Sequence, residues 1–77
     1  MSRRKKTAAD FQICDVIEIV NKDHIENSDH IENGECFIVI GVRRKTARCE
    51  GYIEIIDNDG EALLIFESEF TGIKWIA

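Results

Sequence analysis

The segment from Tyr52 to Phe66 constrains the fold more than any other part of the chain. It reads Tyr52-Ile53-Glu54-Ile55-Ile56, then Asp57-Asn58-Asp59-Gly60, then Glu61-Ala62-Leu63-Leu64-Ile65-Phe66. Two runs of strand-forming residues flank four that tolerate positive φ, the short-range signature of a β-hairpin. The remaining residues read around it as a small, strongly bent, all-β domain.

Size sets the next limit. A chain of 77 residues makes one domain, near the lower bound for folding on a single core. Net stability for such a scaffold is roughly 3–5 kcal/mol. It leaves no room for a separate catalytic domain or a deep cofactor cleft. No run approaches the ~18 apolar residues of a membrane span. No apolar stretch follows the N-terminal charges, so a secretory signal peptide is not expected. Cys14, Cys36 and Cys49 are an odd set without CxxC spacing. They read as reduced cysteines of a cytoplasmic protein, some of them buried as small hydrophobes.

Charge is distributed unevenly. Arg3, Arg4, Lys5 and Lys6 form a basic tail, so the body is more acidic than the net charge of -5 implies. After the tail only Lys22, Arg43, Arg44, Lys45, Arg48 and Lys74 are basic, against fifteen carboxylates. Most of the surface therefore repels nucleic-acid phosphates.

Along the chain, residues 1–9 are expected to be a disordered basic tail and residues 10–77 the folded domain. Phe11 is the first expected core residue. Residues 11–20 alternate as a strand, with a bulge or bend near Cys14-Asp15. Residues 21–34 form a polar loop with a short repeat: Asp23-His24-Ile25-Glu26-Asn27 recurs as Asp29-His30-Ile31-Glu32-Asn33. Ile25 and Ile31 are expected to pin this loop to the body. Residues 35–42 are an almost continuous apolar strand that is covered on both faces or bends between two sheets, with Gly41 as the kink. A basic turn over 43–48, the hairpin, a 3₁₀ turn over 67–70 and a last strand over 73–76 complete the order. The expected core is Phe11, Ile17, Ile19, Val39, Ile55, Leu64 and Phe70.

This order resembles the SH3-like barrels, particularly the short versions encoded by bacteriophages. Those commonly open with an aromatic, two residues, Gly-Asp and alternating Val/Ile; Phe11-Gln12-Ile13-Cys14-Asp15-Val16-Ile17-Glu18-Ile19 is similar. They continue through a long loop to Gly-Glu and an apolar strand, as in Gly34-Glu35-Cys36-Phe37-Ile38-Val39-Ile40. They close with an acidic hairpin turn and a Glu/Asp-rich 3₁₀ turn, where Asp57-Asn58-Asp59-Gly60-Glu61 and Phe66-Glu67-Ser68-Glu69-Phe70 stand. The resemblance spans about residues 11–76 and implies an all-β, five-stranded SH3-like barrel with one 3₁₀ turn before the last strand. Cys14 departs from it, because the pattern prefers Gly there. The loop 21–34 also lacks the aromatics that bind Pro-rich peptides. Proteins of this kind often bind a host or phage protein, so the resemblance implies an accessory protein in the cytoplasm of a bacterial host.

Four groups of residues invite a functional reading. The loop offers His24 and His30 among Asp and Glu, all metal-capable, but their spacing matches no known helical zinc pair, and no metal or cofactor is expected. Asp57-Asn58-Asp59-Gly60 begins like a calcium loop, yet its twelfth position is Ser68 rather than a bidentate Glu. Asp23, Glu26, Asp29, Glu32 and Glu35 recur every third residue and form an anionic ridge suited to a basic partner surface. Charged loops also serve simply to keep small proteins soluble. Arg43, Arg44, Lys45 and Arg48 offer phosphate contacts, with Tyr52 and Trp75 available for stacking. No nucleophile, base and orienting group converge, so an enzyme is not expected. The leading expectation is a protein-binding module that modulates or inhibits a host or phage protein through the acidic loop. The alternative is a nucleic-acid or ribonucleoprotein-associated barrel using the basic turn.

Overall fold

The computed structural model describes residues 7–77. The described residues fold as two three-stranded antiparallel sheets with short 3₁₀ turns between some of the strands. Sheet one has the order β2-β1-β6, with β1 Val16–Ile19, β2 Cys36–Ile38 and β6 Ile73–Trp75. Sheet two has the order β3-β4-β5, with β3 Gly41–Arg43, β4 Tyr52–Ile56 and β5 Ala62–Phe66. The fold is all-β, with six strands among the described residues where the sequence suggests five. The difference lies in residues 35–42, which bend between the sheets. β2 pairs with β1, and β3 pairs with β4. The crossing falls at Val39 and Ile40. Val39 bonds through its N–H to Asp15 on the sheet-one side, and Ile40 donates its N–H to Glu54 in sheet two. Gly41 allows this approach, because a Cβ there would lie 2.9 Å from Glu54 Oε1.

The hairpin forms where its sequence places it. Ile56 pairs with Ala62, and the register runs through to Tyr52 and Phe66. The Asp57 carboxylate accepts N–H bonds from Asp59 and Glu61, and Gly60 takes φ 81°. Both features belong to a turn whose last residue must be left-handed.

One apolar cluster draws on both sheets. Ile17, Ile19 and Val39 enter it from the β1–β2 side, and Ile53, Ile55, Leu63 and Ile65 from β4 and β5. Phe11, Ile25, Ile31, Phe70 and Ile73 complete it. Of the expected core, Leu64 is the exception: it is 37% exposed, and Leu63 and Ile65 are buried instead. The run Ala62–Phe66 has no polar residue to set its parity; the turn sets it by opposing Leu63 to Ile55. Ile13 is also exposed, because the chain turns at residues 12–15 before the alternation of β1 begins.

The expected bend at Cys14–Asp15 is present, and Cys14 sits at φ 80°. All three cysteines are free and exposed; none is buried as a small hydrophobe. At the N-terminus, Ala8–Asp10 forms a 3₁₀ turn with Ala8 fully buried. Residues 1–6 of the expected tail lie outside the described residues. No helix among the described residues is long and apolar enough to cross a membrane.

Two outcomes check this packing. The rings of Phe11 and Phe70 meet edge to face with centroids 5.3 Å apart. Phe70→Ala is expected to cost roughly 3–5 kcal/mol in chemical denaturation, enough to unfold a domain this small; a loss under about 1 kcal/mol would mean the turn is not docked. Cys14→Gly removes an L-residue from the left-handed region while adding unfolded-chain entropy, and is expected to stabilise by about 0.5–1 kcal/mol. A lower melting temperature for that variant would contradict the assigned backbone conformation.

Candidate functional site

The turn Glu67–Gly72, between β5 and β6, organises the polar surface. Its two glutamates accept main-chain bonds from distant segments. Glu67 accepts the N–H of Ala8 at 2.7 Å and that of Gly51 at 3.2 Å. Glu69 is buried at 8% exposure and accepts the N–H of Phe66 at 2.9 Å and that of Glu26 at 2.7 Å. The Phe66 contact is a glutamate reaching back across a helical first turn to the residue before it. The Glu26 contact fastens the long loop to the body.

The loop itself is built twice on one plan. In the structure the repeating unit is six residues, Asn21-Lys22-Asp23-His24-Ile25-Glu26 followed by Asn27-Ser28-Asp29-His30-Ile31-Glu32. Each unit makes a 3₁₀ turn, Lys22–His24 and Ser28–His30, and then an extended isoleucine. Ile25 and Ile31 are both buried, as the sequence suggested. The first unit is capped by Asn21, whose side chain accepts the Asp23 N–H; the second enters through Asn27 at φ 59°. Asparagine tolerates that left-handed position better than most residues. Gly72 closes against the first unit: a Cβ there would lie 2.7 Å from the Asn21 carbonyl oxygen and 2.9 Å from Ile25 Cγ1.

The two histidines occupy equivalent positions but meet different partners. His24 Nδ1 lies 3.0 Å from Thr71 Oγ1, and His30 Nε2 lies 4.0 Å from an Asp59 carboxylate oxygen. They do not converge. Among the described residues no group of three or more His, Cys, Asp or Glu side chains is arranged to hold a metal ion.

The five periodic carboxylates separate into two roles. Glu35 is half-buried and accepts the Glu32 N–H at 2.7 Å and the Asn58 amide at 2.8 and 3.0 Å, so it joins the loop to the hairpin tip. Glu32 pairs with Lys22 Nζ at 3.3 Å. Asp23, Glu26 and Asp29 are exposed, and their carboxylates make no hydrogen bond or ion pair with a described residue.

Arg43 ends β3, and Arg44, Lys45 and Arg48 follow in a turn ordered by Thr46. All four are exposed, and none forms an ion pair with a described residue. Tyr52 stands directly across from Arg43 in the ladder, and Phe66 directly across from Tyr52. The two rings meet edge to face on the outer face of sheet two, with centroids 5.4 Å apart. Trp75 lies on sheet one, in β6, and does not join this row.

Glu67 and Glu69 were not singled out from the sequence. Their signal was local: two glutamates between Phe66 and Phe70, with Glu69 at the third position after Phe66. No family model, curated protein or solved structure matches the chain.

Proposed function

We propose that this chain is a small protein-binding module, similar to the phage-encoded SH3-like barrels, that modulates a host or phage protein by presenting its acidic loop to a basic surface. The observation that carries the proposal is the construction of the loop. Asp23, Glu26 and Asp29 are exposed and unpartnered among the described residues, on a segment held by two buried isoleucines and the Glu69 carboxylate. A charged surface that is ordered before binding loses less entropy on association than a floppy one. Complementary charge then speeds encounter and fixes orientation.

Glu32 contributes less to the contact, because Lys22 neutralises part of its charge. Glu35 supports the ridge from within. Eight large apolar side chains are exposed among the described residues, Ile38, Ile56 and Leu64 among them. The likeness to the barrel family is supported by the shared order of elements and by Cys14, whose φ of 80° is the conformation for which the family pattern uses Gly. In this reading the two sheets are the halves of one SH3-like barrel. No catalysis, metal or cofactor takes part, and the site of action is the cytoplasm of a bacterial host.

The test begins with a nuclease-treated bacterial lysate and capture on the wild-type protein. The captured partner is then measured against the triple variant Asp23→Lys, Glu26→Lys, Asp29→Lys. Its association rate is expected to fall by about 10-fold or more at low salt, and its salt dependence to flatten or reverse. An unchanged association rate for a variant that remains folded would refute the acidic-loop contact.

A further inference from the structure

A second surface, distinct from the acidic loop, is built across sheet two. The residues of its outer face are fixed by register. Val42, Ile53 and Ile65 face or pack against the core, so Arg43, Tyr52 and Phe66, their neighbours in the three strands, face outward as one row. Arg44, Lys45 and Arg48 extend the cationic end of that row. Leu64 and Ile56, both exposed, continue the apolar end along the same face.

Three glutamates of the neighbouring segments direct their carboxylates to groups other than these cations. Glu50 accepts the Ser68 N–H at 2.8 Å and its hydroxyl at 3.3 Å. Glu67 accepts the N–H groups of Ala8 and Gly51. The Glu54 side chain lies over Gly41. In a chain with net charge -5, four exposed cations without a described ion pair are concentrated at this end of sheet two.

We infer that this face binds single-stranded nucleic acid, with the phosphates at Arg43, Arg44, Lys45 and Arg48 and unpaired bases against Tyr52 and Phe66. Cations that track a backbone, next to aromatic rings offering a stacking surface, are what single strands require. A duplex conceals its base faces and gains nothing from the rings. An acidic peptide would use the cations and leave the aromatic pair without a function. Glu54, half-buried in the middle of the face, repels phosphate and limits affinity at this site.

Fluorescence anisotropy with labelled mixed-sequence 12-nucleotide single strands of DNA and of RNA tests the inference. The matching duplex and a poly-glutamate peptide serve as competitors, at 50 and 200 mM salt. The single strands are expected to bind more tightly than the duplex or the peptide. Three to four phosphate contacts imply a loss of roughly 20- to 50-fold in affinity between the two salt concentrations. Arg43→Glu, Arg44→Glu, Lys45→Glu together should abolish binding, and Glu54→Gln should strengthen it. Tyr52→Leu should weaken binding at least about 5-fold with the salt dependence retained, and Tyr52→Phe should preserve it. Should Tyr52→Leu fail to fold, the arginine variant, Glu54→Gln and the duplex comparison still decide. No saturable binding up to 100 µM at the lower salt, equal binding of duplex, or equal competition by poly-glutamate would each overturn the inference.

Discussion

Two carboxylates on one short turn tie the N-terminal turn and the long loop, which no strand pairing joins to sheet two, to the paired ends of β4 and β5. Glu67 takes the N–H groups of Ala8 and Gly51; Glu69 takes those of Glu26 and Phe66. The N-terminal turn, the start of β4, the end of β5 and the long loop therefore meet at residues 67–69. Hydrogen bonds to a charged group contribute about 1.5–3 kcal/mol each, whereas a whole domain of this size is stable by roughly 3–5 kcal/mol. Each of these bonds is thus a large share of the stability the domain has. The buried position of Glu69 sharpens this, because a buried carboxylate without donors is strongly destabilising.

The same arrangement shapes the surface. Glu50 and Glu67 accept main-chain and serine donors, and Arg43, Arg44 and Arg48 make no ion pair with a described residue. Because Glu69 fastens Glu26 by its backbone, the Glu26 side chain is free to face outward on an ordered loop. The surface carries an anionic ridge on the loop and, apart from it, a cationic row on sheet two. The net charge alone would suggest neither.

The hairpin, its turn, the bend at Cys14 and the short turn after Phe66 were all legible in the sequence. Each rests on local chemistry: residues that tolerate positive φ, strand-forming runs, or the absence of polar breaks. Three features were not. The parity of β5 depends on a turn register that Ala62–Phe66 does not encode by itself. The split of one apolar run into β2 and β3 depends on which partners Val39 and Ile40 find. The internal role of Glu35, Glu67 and Glu69 depends on donors distant in sequence, as far as from Glu67 to Ala8, and composition shows only that they are acidic. The ridge read as five equal carboxylates is a set of four exposed ones, Glu32 among them paired with Lys22, and a half-buried fifth, Glu35, that braces the loop.

Native-state amide hydrogen exchange tests the carboxylate anchor most directly. Glu26 is exposed and lies outside every strand, so its amide would exchange freely if the loop were not fastened. With its N–H on the Glu69 carboxylate, that amide is expected to exchange about 100-fold or more slowly than an unstructured one, and to lose that protection in Glu69→Gln together with the rest of residues 21–35 while the β4–β5 amides remain slow. Free exchange at Glu26 in the wild-type protein, or protection unaltered by the substitution, would contradict the account.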